Sequence, residues 1–301
     1  MFIIKNKFIF LTISAVIVLG SLIAVMVYGL RPGIDFKGGT LLEVNYTSGR
    51  PDSSLIAEVL QKDSLADAIV QPVGASSLSV KSRPLSETER PALVTDLSMG
   101  GKYPLTQTSF TSIGPSVGRE LTQKAIVAII IVVIAIVLYI AFAFRGVSKP
   151  VSSWKYGLIA IATLVHDIAI PSGVFALLGH FRGAEVDTLF VVAILTVLGI
   201  SVSDTIVVFD RIRENLKNHI APTFSETVGK SLNQTFVRSI NTSLTVILVL
   251  LSLYFFGPIA TKNFSLVLIV GMFFGTYSSI FVASPLLVIV EGWQNKSGSR
   301  R

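Results

Sequence analysis

The run AIVAIIIVVIAIVLYIAFAF, Ala125–Phe144, is twenty residues long and carries no charge. As a helix rising about 1.5 Å per residue, it reaches across the roughly 30 Å hydrocarbon core of a bilayer. Five further segments meet the same criterion or nearly so. Phe8–Tyr28 and Phe264–Val290 are uncharged, Tyr156–Gly179 is interrupted by His166 and Asp167, Thr188–Phe209 by Asp204, and a run from about Phe236 to Phe256 holds Arg238 near its start. Over the whole chain, 51% of the 301 residues are hydrophobic and 14% charged, against about a quarter charged in an average soluble domain. The sequence therefore reads as a polytopic α-helical membrane protein with six transmembrane helices. It has no cysteine, which excludes disulfides, zinc ribbons and thiol catalysis. Its three histidines, His166, His180 and His219, are widely spaced and form no HExxH pair, so neither a metal nor a cofactor is expected. The net charge of +7 is accompanied by no nucleic-acid motif.

Lysine and arginine set the orientation. With both termini in the cytoplasm, the inner segments hold Lys5, Lys7, Arg145, Lys149, Lys155, Arg211, Arg213, Lys217, Lys230, Lys296, Arg300 and Arg301. The two short outer loops hold only Arg182 and Lys262. Lys5 and Lys7 ahead of the first span give it the start of a signal peptide, but its apolar run exceeds the about 7–15 residues of such a peptide, and an uncleaved anchor is expected.

One loop is long. Gly29–Thr122 carries ten of the chain's 18 acidic residues, and long loops cross the membrane whatever their charge. Leu41–Tyr46 alternates like a strand, and Asp52–Asp63 puts Leu55, Ile56, Val59 and Leu60 on one helical face. Val70–Val73 and Leu78–Val80 are short strand candidates. Ser86 and Glu89 form a capping box opening a helix to about Leu97, and Leu105–Ile113 alternates again. The order β-α-β-β-α-β predicts a small α+β, ferredoxin-like domain. The expected division is 1–28 for the cytoplasmic N-terminus and first span, 29–122 for a periplasmic α+β domain, and 123–301 for spans 2–6 and a cytoplasmic C-terminus.

Ionisable groups within spans cost about 2.5–3.5 kcal/mol each and usually mark an ion or substrate path. Asp204 and Arg238 lie at matching depth, roughly 3–8 Å inside the core from the cytoplasmic side, where they could pair across helices. Arg238, Asn241, Thr242 and Thr245 repeat at helical spacing as a polar stripe that should turn inward toward span 4. One reading is a proton relay, in which a guanidinium near the carboxylate tunes its proton affinity. The other is a static salt bridge that fixes helix register, with Arg238 free to snorkel to the interface. Asp167 lies deeper, and His166 beside it points about 100° away around the helix. Gly271 and Gly275 form a GxxxG that permits close helix packing. The charged run Asp210–Asn215 reads equally well as a topology determinant.

Five motifs occur in order: RPGIDFKGGT at Arg31–Thr40, GPSVGREL at Gly114–Leu121, LVHDI at Leu164–Ile168, SDTIVVFDRIREN at Ser203–Asn215 and QTFVRSINTSLT at Gln234–Thr245. This pattern resembles the SecF family of the bacterial Sec protein-export machinery, within the resistance-nodulation-division superfamily. The resemblance implies a non-enzymatic accessory subunit of the bacterial inner membrane. Such a subunit pairs with SecD, binds the Sec channel (SecYEG) and uses the proton-motive force to help complete export of preproteins. It places the family's proton-transport pair on Asp204 and Arg238. Asp167, His166, Ser203, Asn241, Thr242 and Thr245 stand as supporting polar groups. Gly33, Asp35, Gly38 and Gly39 look like a hinge to the periplasmic domain. The chain departs from the family pattern at Ser203, where asparagine is usual, and at Ser239 and Val246, where threonines are usual. Two other functions compete. An intramembrane aspartyl protease would use Asp167 and Asp204, but no GxGD motif surrounds either. A purely structural scaffold would need neither charge.

Overall fold

The computed structural model describes residues 2–143, 151 and 153–298. Phe144, at the expected end of span 2, and the orientation residues Arg145, Lys149, Arg300 and Arg301 lie outside the described residues. The elements in order are α1 (Phe2–Lys5), α2 (Lys7–Tyr28), α3 (Ile34–Lys37), β1 (Gly39–Tyr46), α4 (Ser53–Lys62), β2 (Ile69–Val73), β3 (Ser77–Ser82), α5 (Glu89–Leu97) and β4 (Leu105–Ile113). Then follow α6 (Pro115–Ala143), α7 (Ser153–Arg182), α8 (Thr188–Lys217), α9 (Phe224–Phe256), a short 3-10 turn (Ile259–Thr261), α10 (Lys262–Ser278), a π-helical turn (Ser279–Ala283) and α11 (Ser284–Gly298). Among the described residues, six helical stretches are long and apolar enough to span a membrane, the last running through α10, the π turn and α11.

Two helices begin well ahead of their apolar runs. The GPSVGREL segment, expected before span 2, forms the opening turns of α6 from Pro115 onward. Proline at the first helical position has no N–H to lose and a φ already suited to a helix. Span 5 likewise starts at Phe224, where the Thr223 side chain caps α9 by accepting from the Glu226 backbone N–H at 3.2 Å.

The chain divides into two compact units. One comprises 32–127 and 186–188. Its sheet has the order β2-β3-β1-β4, antiparallel throughout. With helices after β1 and β3, this is the split β-α-β arrangement expected from the element order. Leu42, Val44 and Tyr46 of β1, Leu78 and Val80 of β3, Ile56 and Leu60 of α4, and Leu93 and Leu97 of α5 form its core. Alternation along β1 turns one set of side chains under the two helices. The capping box is present. Ser86 N–H donates to Glu89 Oε2 at 2.8 Å, and Glu89 N–H donates to Ser86 Oγ at 3.3 Å.

The other unit comprises 1–31, 128–185 and 189–301. Its core joins Tyr156, Ile159 and Leu164 of α7, Leu198, Val208, Phe209 and Ile212 of α8, and Ile280, Ala283 and Leu287 of the last span. α7 and the last span are its most buried helices, whereas α2, α6 and α9 bury little of their length. The faces they leave open carry large apolar side chains, among them Ile130, Ile134 and Leu138 of α6 and Leu244 and Leu248 of α9. Such a surface suits hydrocarbon.

Glu89 gives the 29–122 segment an acid limit. The Arg83 guanidinium, 2.6 Å away, together with the Ser86 N–H and hydroxyl, lowers its carboxyl to about 2. A depressed value in the folded state supplies stability above the unfolded pKa, about 4.3. That stability fades as pH falls toward about 2. Thermal unfolding at a series of pH values should therefore show a steeper loss below about pH 4.3 in the wild-type chain than in Glu89→Gln. Parallel curves would show that the capping box does not act this way.

Candidate functional site

α8 carries Asp204, half-buried, beside a cluster of hydroxyls. Its carboxylate Oδ1 accepts a 2.6 Å hydrogen bond from Ser239 Oγ of α9. Its Oδ2 is buried without a hydrogen-bond partner. Asp204 borders a cavity of about 240 Å³ between α8, α9 and α10, with Ser203, Arg238, Thr242, Ser243 and Thr276 on its walls. The Ser243 and Thr276 hydroxyls bond to each other across the helices.

Arg238 shares this cavity with Asp204. Among the described residues, however, no ion pair joins the two. Ser239, its chain neighbour, makes the carboxylate contact instead. The reason lies in how α9 is turned. The stripe Arg238, Asn241, Thr242 and Thr245, expected to face inward, is exposed on the outside of this unit. The side of α9 that packs inward is the hydroxyl row Ser231, Thr235, Ser239 and Ser243 at four-residue spacing, all buried. Small hydroxyl side chains pack closely and bond across helices. Thr245 Oγ1 bonds only locally, to the Asn241 carbonyl at 2.7 Å.

Asp167 of α7 is wholly buried, at 0% exposure. Its Oδ2 accepts from Ser201 Oγ of α8 and from Ser278 Oγ, at the end of α10, at 2.9 Å. Its Oδ1 lies 2.8 Å from His166 Nδ1, so the tautomer protonated at that nitrogen donates to it. Consecutive helical residues point apart, yet here the imidazole folds back onto its neighbour. The ring stacks against Tyr277, with centroids 6.3 Å apart and planes 12° from parallel. That leaves His166 Nε2 buried and without a partner. Asp167 and Asp204 share no direct hydrogen bond, each being served by its own serines.

The GxxxG glycines explain how these hydroxyls come so close. Gly271 lies directly against Val197 of α8, and a Cβ on Gly275 would sit 3.2 Å from Ser201 Cβ. Further toward the end of α8, Gln234 Oε1 accepts from Arg211 Nε and from Asn215 Nδ2, each at 2.7 Å. Asn215 Nδ2 also donates to Ser231 Oγ at 2.8 Å. Arg211 and Asn215 of the charged run thus fasten α8 to α9, a role its topology reading does not include.

Around α3, Gly33 N–H donates to the Val186 carbonyl at 2.8 Å. The Asp35 carboxylate accepts from the Thr188 backbone N–H at 2.8 Å. Gly38 and Gly39 have φ of +81° and +145°. A Cβ on Gly39 would lie 2.8 Å from the Ser82 carbonyl oxygen, so conformation and space both demand glycine there.

The residues that sequence reasoning missed are the serines: Ser239, Ser201, Ser278 and, beside it, Ser279. A signal existed in the four-residue hydroxyl repeat on span 5 and in the Ser278-Ser279 pair three residues past the GxxxG of span 6.

Comparison with known proteins agrees with this architecture. Residues 96–293 match the family model of protein export membrane protein SecD/SecF, C-terminal, and residues 23–49 match the SecD/SecF GG motif. The protein translocase subunit SecF of Thermobaculum terrenum is 43% identical over 98% of this chain and 94% of its own. That of Anaerolinea thermophila is 38% identical over 97% and 96%. The crystal structure of SecDF, a translocon-associated membrane protein from Thermus thermophilus, matches with a TM-score of 0.82 at 32% identity. It covers 97% of this chain and 38% of that longer one. The chain belongs to the SecD/SecF family of protein-export membrane proteins, as the five motifs in order implied.

Removing the Asp167 acceptor strands the buried Ser201 hydroxyl and an imidazole nitrogen, and leaves Ser278 with the Gly275 carbonyl alone. Asp167→Leu should lower stability by on the order of 3 kcal/mol, while Asp167→Asn, which keeps an acceptor oxygen, should lose less. Thermal unfolding in detergent measures both. Equal losses would show that volume rather than hydrogen bonding matters at this position.

Proposed function

We propose that this protein, an accessory subunit of the protein-export translocase in the bacterial inner membrane, uses the proton-motive force to help complete the export of preproteins. The observation that carries the reading is Asp204, a carboxylate inside a span with one oxygen bonded to Ser239 and the other open beside a cavity. Arg238 stands on the wall of the same cavity. An ionisable group so placed can take up and release a proton without leaving the bundle. One charge moving through 100 mV yields about 2.3 kcal/mol, which biases a conformational equilibrium roughly fifty-fold.

The partner in this reading is SecD. Relatives such as the protein translocase subunit SecDF of Bacillus subtilis match this chain over 98% of its length but only 38% of their own, so two halves occur there in one polypeptide. The exposed stripe Arg238, Asn241, Thr242 and Thr245 is costly against lipid, and a second half with polar groups of its own is the cover that suits it. The Sec channel and the exported preprotein complete the assembly. Residues 29–122 form the periplasmic domain, Gly33, Asp35, Gly38 and Gly39 form the join to it, and both termini face the cytoplasm. The protein acts by moving, not as an enzyme. A protease needs two carboxyls sharing a proton at about 3 Å, whereas Asp167 and Asp204 are held by separate serines.

Inverted membrane vesicles that contain the partner half test this. A precursor is stalled part-way, ATP is removed and a proton gradient applied. Wild type should complete export, whereas Asp204→Asn should assemble normally and stall. Arg238→Lys keeps the charge but loses the planar fork, and should retain partial activity. Completion by Asp204→Asn at the wild-type rate would overturn the proposal and leave Asp204 with an architectural role.

A further inference from the structure

We propose that Asp167 is a second proton-binding site of the bundle, reached from the Asp204 cavity through the Ser201 hydroxyl. This rests on the reading of that cavity as a place where protons are exchanged, and it gives a task to a buried carboxyl that the reading leaves unused. One residue makes the connection. Ser201 stands on the wall of the cavity that Asp204 borders, and its hydroxyl donates to Asp167 Oδ2, which lies behind that wall. Ser201 and Asp204 are three residues apart on α8 and so share a helix face. The cavity holds about 240 Å³, far more than the roughly 10–15 Å³ that admits one water.

The surroundings of Asp167 accommodate both of its protonation states. Three groups converge on it as donors: the Ser201 hydroxyl, the Ser278 hydroxyl at 2.9 Å and His166 Nδ1–H at 2.8 Å. An ionised carboxylate only accepts, so this set suits the charged form. Ser278 has a second acceptor, however, in the Gly275 carbonyl at 2.9 Å. When Asp167 carries a proton on Oδ2, Ser278 can turn its own O–H onto Gly275 and accept from the carboxyl. His166 holds the other oxygen, Oδ1, in both states. Its Nε2 is buried without a partner, so the bond from Nδ1 to Asp167 selects the tautomer. The stacked Tyr277 ring keeps the imidazole in plane.

The transfer balances at each atom. Hydronium in the cavity gives a proton to Ser201 Oγ as the Ser201 hydroxyl proton moves to Asp167 Oδ2. One O–H bond forms and one breaks at Ser201, which ends as it began, with its hydrogen turned to the cavity. The hydronium becomes water and the carboxylate becomes a carboxylic acid. Release runs the same step backwards. Two carboxyl groups thus serve one cavity, Asp204 on its border and Asp167 behind a single hydroxyl, and a proton given up by one can be held by the other.

The ionisable groups around this step are His166 beside Asp167 on α7, Asp204 on α8, Arg238 on α9 and Tyr277 on α10. α2, which packs on α7, carries Lys7 and Tyr28 only at its ends, α10 carries Lys262 at its start, and α11 carries Glu291 and Lys296 further along. The charges of Asp204 and Arg238 shift how strongly Asp167 holds a proton whether or not Ser201 relays it. The rate of exchange, rather than the midpoint of a titration, therefore reads out the route.

Infrared spectroscopy of the reconstituted full chain with isotope-labelled aspartate tests this. Asp167→Asn and Asp204→Asn assign the two protonated-carboxyl bands, and lowering the pH should bring up both. On a switch to heavy water, the wild-type Asp167 band should exchange at close to the Asp204 rate. Ser201→Ala should slow exchange at Asp167 by at least about tenfold and leave that at Asp204 unchanged. Ser278→Ala removes a hydroxyl that bonds Asp167 but is not on the cavity wall, and should leave exchange fast. An Asp167 band that never appears while the chain stays folded would overturn the proposal, marking a permanently ionised anchor. Exchange as fast in Ser201→Ala as in wild type, or slowed by Ser278→Ala instead, would overturn the route through Ser201. An absent Asp204 band, with Asp167 titrating and slowed by Ser201→Ala, would overturn the reading of Asp204 while upholding the second site. If Ser201→Ala does not fold, Ser201→Cys, close in size and a weaker donor, should slow exchange at Asp167 in the same sense.

Discussion

A carboxylate taken out of water must be given hydrogen bonds in return or be neutralised. The membrane unit does this twice, at Asp167 and at Asp204, and its other features follow from the way it does so. The donors come from serines on three helices. A serine hydroxyl reaches only a short distance, so those helices have to pack closely. Gly271 and Gly275 provide that closeness on one side, and the hydroxyl row of α9 provides it on the other. The apolar packing of α7, α8 and the last span then fills what the polar centre leaves. Lipid can cover the remaining helices, which explains why α2 and α6 bury so little of themselves.

The choice of hydroxyls over a guanidinium has a chemical consequence. A fixed ion pair holds a carboxylate ionised over a wide pH range. Serine donates to a carboxylate or accepts from a carboxylic acid with equal ease, so it tolerates both protonation states. Ser239 at Asp204 therefore suits that group in either protonation state, while Arg238 stands on the wall of the cavity that Asp204 borders. The family pattern usually has threonine at position 239, which keeps the hydroxyl and adds only a methyl group.

Much of this was legible in the amino-acid sequence, and the misses share a cause. Long apolar runs announced the spans because a bilayer allows few alternatives. The small domain was legible because strand alternation and the Ser86–Glu89 box are local signals. The facing of α9 was not, because charged residues draw the eye to one stripe of a helix whose inward face is set by small hydroxyls. Ser278 and Ser279 were hidden for a different reason. A π turn shifts the phase of a helix by about one residue, and no repeat of 3.6 anticipates it. The pairing of His166 with Asp167 escaped as well, since helical geometry separates neighbours and only side-chain rotation brings them together.

The bond between His166 and Asp167 also bears on how the chain is made. Ser201 lies 34 residues after Asp167, and Ser278 lies 111 residues after it. Ribosomes add about 5–20 residues per second, so roughly 5–20 s pass before the last of these donors is synthesised. Throughout that interval Asp167 has His166 beside it in the same helix. The imidazole that donates to Asp167 in the folded bundle is, by contrast, synthesised beside it, ahead of both serines.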